Sequence, residues 1–392
     1  MSRFSRAWWS CGVLMWSACT AQEPALVASN CDEPAGCTQQ ALHLDSVDVL
    51  LVVDDSASIA PRVAQLKEQL PRMMQALTTG SDGETNFPPA KSVHVAVTTT
   101  DMGAGAEYPP SCTALGRDGV FVRPGEVGVT CPVSYPGYLS YEGGAAPLSV
   151  VESAACVPLV FSDAEGFAGC GFEQPLEAAL KALWPADDTR VQFSSGGGHG
   201  ADANRGFLRD SSLLVVVIVT DEDDCSATDT SIFDVRAQEL GSVNLRCLNH
   251  ADKLHGVQRY VDHLKRVRPN NDNVIFGVVA GVSEELVSDD YRAEYELGTR
   301  SGAERYVDAL LAHPTMQEQA VDASEPTGHV AASCVTLLNG ETASATPPRR
   351  LLQVARGFGA SAVVGSICSS EFGATMGRLI RAVGDKLSQH AD

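Results

Sequence analysis

Residues 48–59 read DVLLVVDDSASI, an apolar run that stops abruptly at two aspartates and two serines. Asp54, Ser56 and Ser58 stand at alternate positions there. Far along the chain, residues 213–224 read LLVVVIVTDEDD, so a second apolar run ends in Asp221. Runs of this kind suit strands buried on both faces of a parallel sheet. In doubly wound α/β sheets, ligands sit beyond the carboxyl ends of the strands, where the strand order reverses. If these two strands are central neighbours, two carboxylates and two hydroxyls converge on one point. Such an all-oxygen set suits a hard divalent cation (Mg²⁺, Mn²⁺ or Ca²⁺) rather than a soft metal. The plainer reading of DDSAS is a helix N-cap, in which Ser and Asp satisfy free N–H groups at about 1 kcal/mol each. Capping alone does not call for Asp54 at the strand end with Asp221 matching it elsewhere.

The elements needed to position these residues can be read from hydrophobic spacing. Val47–Val53, Val93–Thr99, Leu213–Thr220, Val274–Ala280 and Ala362–Ile367 read as strands. Ile59, Val63, Leu66, Leu70, Met73 and Leu77 recur at helical spacing and end at Gly80, with Pro71 expected to kink or split the helix. Further helices are expected at Pro175–Leu183, through Leu254, Val257, Val261 and Leu264, at Leu351–Phe358, and from Phe372 to Leu387. Alternation of strand and helix predicts an α/β fold with a doubly wound, mostly parallel central sheet and helices on both faces. Two stretches break the rhythm and read as insertions on a single domain of residues 46–390. Residues 101–170 hold Gly, Pro and four cysteines, and residues 282–347 hold polar helix-like pieces with an extra strand near His329–Leu337.

The N-terminus reads as an export signal. Arg3 and Arg6 precede the short uncharged core AWWSCGVLMWSA, which runs into SACT at 17–20. SACT resembles the lipobox of bacterial lipoprotein precursors, although Trp16 stands where an aliphatic residue is usual. The resemblance implies removal of residues 1–18, acylation of Cys19 and a lipid-anchored protein of the cell envelope, at the outer membrane or cell surface. The alternative is ordinary cleavage and free secretion. Residues 19–45 are small and polar and read as a flexible tether. Ten cysteines remain (Cys31, Cys37, Cys112, Cys131, Cys156, Cys170, Cys225, Cys247, Cys334 and Cys368), an even number that reads as disulfides in an exported chain. Sequence leaves connectivity open, and pairing of neighbours (31–37, 112–131, 156–170, 225–247, 334–368) is the simplest expectation.

A formal charge of −21 repels phosphate backbones and argues against a nucleic-acid partner. His255 and His263 lack HExxH spacing, SSGGGHG at 194–200 reads as a flexible loop, and no GxxxxGK[ST] or GxSxG signature occurs.

The pairing of DDSAS with the distant VIVTD resembles the von Willebrand factor type A (VWA) domain over roughly residues 45–388. GFEQPLEAAL, NRGFLRD and TDEDDCS are similar to exported bacterial proteins with that domain, many of them lipoproteins. The resemblance implies a metal-ion-dependent adhesion site at Asp54, Ser56, Ser58 and Asp221. There a cation with an open position binds a protein or glycan partner, without catalysis. The family's middle-loop threonine is replaced by Glu173 or Gln174. A glutamate would bind the cation well but lower its appetite for an acidic partner, and Glu222, Asp223 and Asp224 act in the same direction. Those three acids read equally as a solvated loop clamped by Cys225, and Glu173 reads equally as a first-turn helix acid. The other function classes consistent with the sequence are a non-adhesive structural or regulatory envelope protein whose metal only stabilises the fold, and a hydrolase built from the insertions.

Overall fold

The computed structural model describes residues 44–105, 111–123, 137–143, 154, 169–338, 340–370 and 372–390. Cys19, Cys31, Cys37, Cys131 and Cys156, with the signal and most of the tether, lie outside the described residues.

The chain forms a six-stranded central sheet from β1 (Ser46–Val53), β2 (Ser92–Thr99), β3 (Tyr138–Glu142), β4 (Leu213–Val219), β5 (Val274–Ala280) and β10 (Ala362–Ser366). Their spatial order is β10-β5-β4-β1-β2-β3, parallel throughout except for β3, which pairs antiparallel to β2 at the edge. The chain moves from β1 outward to β2 and β3, then crosses back to β4 on the other side. The order therefore reverses between β1 and β4, which are direct neighbours with Val53 opposite Val219.

Successive side chains of a strand face opposite ways, and β1 shows how both faces are covered. Val47, Val49, Leu51 and Val53 pack with Leu66, Leu70, Met73 and Leu77 of α1 (Ala60–Thr79). Met376, Leu379, Val383 and Leu387 of a long C-terminal helix complete that layer. Leu50 and Val52 belong to the layer on the other face, built with α2 (Pro175–Leu183), α3 (Gln258–Arg266), α4 (Arg300–Ala312) and α5 (Arg349–Phe358) through residues such as Leu180, Leu264, Leu310 and Leu352. The C-terminal helix is α6 (Gly373–Gln389). Full burial of each such aliphatic side chain contributes about 1.5–3 kcal/mol, and β2, β4 and β5 are buried along their whole length.

Several expectations need correction. Pro71 does not split α1, which runs unbroken for 20 residues to Gly80. Packing along the sheet outweighs the one backbone bond that a proline cannot donate. Leu254 lies outside α3 and instead bridges Ala227. The strand expected near His329–Leu337 is two strands broken at 331–333. β6 (Ala320–Val321) pairs with β7 (His329–Val330), and β8 (Cys334–Leu338) pairs with β9 (Glu341–Ala345). The pairs Cys225–Cys247 and Cys334–Cys368 form as expected, but Cys112 bonds to Cys170 across 58 residues. The reason is topological. Val122 hydrogen-bonds back onto Val97 of β2 and Gly169 onto Asp55, so the first insertion starts and ends at the same rim of the sheet.

At the opposite rim, Asp48 is fully buried within an apolar strand. It is bound by Arg268 Nη2 at 2.9 Å, by Arg209 Nη2 at 2.6 Å and by the hydroxyl of Ser212. Removing one partner of a buried ion pair strands the other charge, at about 3–5 kcal/mol. Arg268→Ala is therefore expected to lower unfolding stability by about that amount in urea titrations. A loss below about 1 kcal/mol would show that this network does not brace the sheet.

Candidate functional site

Asp54 is the first residue beyond β1 and Asp221 the second beyond β4. The parallel register puts both at one rim of the sheet, and the Asp54 N–H bonds the Val219 carbonyl at 2.9 Å. Asp54 is fully buried and Asp221 nearly so. Asp54 Oδ1 accepts the Ser56 N–H at 2.8 Å, which tightens the turn, and Oδ2 accepts the Thr220 hydroxyl at 2.8 Å. The Ser56 and Ser58 hydroxyls are 2.9 Å apart, and Ser58 donates to Asp221 Oδ1 at 3.1 Å. Ser58 does not cap α1, whose N-terminus has no side-chain cap. The structure thus brings Asp54, Ser56, Ser58 and Asp221 into one hydrogen-bonded group.

Two close backbone approaches hold the rim in place. The Thr346 N–H, just past β9, donates to the Asp221 carbonyl at 2.8 Å. Gly281 permits this, since a Cβ there would sit 2.0 Å from the Thr346 carbonyl oxygen. On the other side, a Cβ at Gly169 would sit 2.3 Å from the Asp55 carbonyl oxygen that Gly169 binds.

Glu173 joins the group from the turn before α2. It is 1% exposed, with one carboxylate oxygen on the Thr100 hydroxyl and the other without a hydrogen-bond partner. Gln174, the alternative for that place, is turned away and bonds the Gly103 carbonyl and the Ala227 N–H. Asp55 Oδ1 is also buried without a partner. Sequence reasoning missed Thr100, Thr220 and Thr346. The first two directly follow the apolar runs of β2 and β4, so strand ends alone could have pointed to them.

The acids after Asp221 divide into two kinds, and neither Asp223 nor Asp224 lies in a solvated loop. Asp223 accepts the Arg350 and Leu351 N–H groups at the start of α5. Asp224 accepts the Leu176 N–H at the start of α2 and pairs with Arg350 at 3.1 Å. Both are helix N-terminal anchors. Glu222 remains with the central group.

Burial, reinforced by the crowding of like charges, dominates the electrostatics. Burial, then Asp54, pushes Asp221 up to about 7, against the opposing bond from Ser58. Burial, then Asp101 and Asp54, pushes Asp55 up to about 7, and burial with Asp54 and Asp221 pushes Glu222 up to about 8. Glu173 lies well above the usual carboxylate range through burial, Asp54, Asp55 and Glu222. Buried Arg62 on α1 feels Asp221, yet neither of its Nη atoms has a hydrogen-bond partner.

Among the described residues, no group of three or more His, Cys, Asp or Glu is arranged to hold a metal ion. The acids alone make no cage. The donor set is two carboxylates with two serine hydroxyls, and unpartnered oxygens of Glu173 and Asp55 lie beside it. This set of hard oxygens carrying uncompensated negative charge fits a hard divalent cation.

A second polar cluster lies away from this rim. Lys181 of α2 is fully buried and bonds both Asp118 oxygens at 2.7 Å and the Ser195 hydroxyl at 2.7 Å, with His199 at 3.3 Å from Asp118. The segment 194–200 is thereby tied to α2 instead of forming a flexible loop.

No protein-family model matches this chain, and no curated protein matches it. No helix among the described residues is long and apolar enough to cross a membrane.

The raised acids give a pH dependence of definite sign. Unfolded, they titrate near about pH 4; folded, Asp55, Asp221 and Glu222 titrate near about 7 to 8. Between those limits the folded chain holds protons that the unfolded chain has released. Stability in chelator-containing buffer should therefore fall, by several kcal/mol over the three groups, as pH rises from about 5 to about 9, and level off above that. Urea melts across the range check this; stability that rises over the interval would contradict the crowding.

Proposed function

We propose that the chain is an exported, lipid-anchored binding protein of the VWA kind, which presents a divalent cation to a protein or glycan partner. The observation that carries this reading is the adjacency of β1 and β4, which places Asp54, Ser56, Ser58 and Asp221 in one hydrogen-bonded group at the switch point. Asp54, Ser56, Ser58 and Asp221 would hold the ion. A bound Mg²⁺, Mn²⁺ or Ca²⁺ supplies a Lewis-acid anchor for an oxygen of the partner. The chain's own residues do the rest. Thr220 and the Ser56 N–H fix the Asp54 carboxylate in one orientation, Ser58 orients Asp221, and Thr100 orients Glu173.

A second reading is favoured by the number of acids at this rim: the cation only stabilises the fold, in a structural or regulatory envelope component. Both readings need the ion, and they differ in whether chelator releases a partner in a pull-down.

Calorimetric titration of Mg²⁺, Mn²⁺ or Ca²⁺ tests the ion itself. Wild type should bind at least one, and Asp54→Ala should weaken that binding by roughly tenfold or more, about 1.4 kcal/mol. Asp221→Asn should likewise weaken the ion yet raise stability in chelator at pH 8, because it removes one of two crowded charges. Equal heats for wild type and Asp54→Ala would end the cation reading. Detergent partitioning tests the anchor: wild type should enter the detergent phase and Cys19→Ala should not.

A further inference from the structure

A cleft of about 160 Å³ opens beside the acid group, between the turn before α2, the loop after β4, residues 243–248 and β7. We infer that it is a recognition pocket for a basic side chain, lysine or arginine, carried by the protein partner. The inference rests on the cation-dependent binding role proposed for the same rim and names the partner's chemistry.

The cleft has two kinds of wall. Val243, Leu248 and Val330 give apolar lining, and Glu173, Glu222 and Glu318 give acidic lining. A long alkyl stem with a cationic head matches that division. The pocket's own charges do not fill the role. Arg350 is committed to Asp224 and the His255 carbonyl, and Asp223 to the N-terminus of α5. Arg349 donates from Nη1 to the Leu311 and Met316 carbonyls and stands 3.7 Å from Glu318, and His329 turns its Nδ1 to the Thr327 carbonyl. No described cation pairs with Glu173 or Glu222.

The independent observation is the unpartnered oxygen of Glu173, on a side chain 1% exposed that lines this cleft. A buried carboxylate oxygen without a donor is costly, and an ammonium or guanidinium supplies both the donor and the charge. The Thr346 N–H, at the cleft's edge, binds the Asp221 carbonyl, so the pocket and the proposed ion site share one wall.

The test uses the full chain in saturating Mg²⁺, with butylguanidinium as probe and its neutral isostere butylurea as control, both followed by calorimetry. Butylguanidinium should bind saturably and butylurea should not. Glu318→Gln, which lies outside the proposed ion ligands, should weaken the guanidinium roughly tenfold while leaving the Mg²⁺ isotherm unchanged. Circular dichroism confirms that the variant is folded. Equal binding of the two probes, no saturable heat from butylguanidinium in a protein that still binds Mg²⁺, or an unchanged Glu318→Gln variant would overturn the pocket. Guanidinium binding in a protein that binds no divalent cation would support the pocket and overturn the reading on which it rests.

Discussion

Two carboxylates are forced together because β1 and β4 are neighbours in register. Val53 pairs with Val219, and the residues that follow each strand emerge at the same rim. Neither strand can slide to separate them, since a one-residue slip would turn every buried side chain of the strand to the opposite face. The apolar core thus holds in place an arrangement that its own electrostatics disfavour. Hydroxyls from Thr220 and Ser58 soften the repulsion between Asp54 and Asp221 without neutralising it. Strain of this kind persists only where the surrounding structure over-determines it, and here all seven residues of β4 are buried.

The acidic run after β4 shows how one stretch of like residues is divided by backbone direction. Asp221 faces the strand-end group, and Glu222 stands with that group while also lining the neighbouring cleft. Asp223 and Asp224 instead anchor the first turns of α5 and α2, and the Cys225–Cys247 bond fixes the loop behind them. Because those two helices cover the same face of the sheet, the residues that anchor them also set the position of the turn that carries Glu173. The Cys225 N–H completes the link by binding the Glu173 carbonyl at 2.7 Å.

What was legible in the sequence was mostly what is local. The ends of β1, β4 and β5, the helix that stops at Gly80 and the pair Asp54/Asp221 follow from unbroken apolar runs and the residues that close them. What escaped depends on contacts distant in sequence. The strand YLSYE alternates over only five residues and earns its place by pairing with β2. Asp48 reads as an irregularity in an apolar run, because Arg209 and Arg268 lie 161 and 220 residues away. Cys112 finds Cys170 only because both ends of an insertion return to one rim. Glu173 could be placed by pattern, but its unpartnered oxygen could not, since that depends on Thr100, 73 residues away, satisfying the other one.

The two rims of the central strand pair make a comparison within one molecule. Asp48, at one end of β1, is met by two arginines, a serine and His94. Asp54, at the other end, sits among Asp55, Glu173, Asp221 and Glu222, and the buried cation close to Asp221, Arg62, leaves both its Nη atoms unpaired. The fold can therefore neutralise a buried aspartate at this very strand, with groups drawn from distant parts of the chain, and does so at one rim only. Leaving the other rim unneutralised costs stability that ordinary packing would not concede. That asymmetry, rather than the acidic composition of the chain as a whole, is what supports a ligand of positive charge at the ends of β1 and β4.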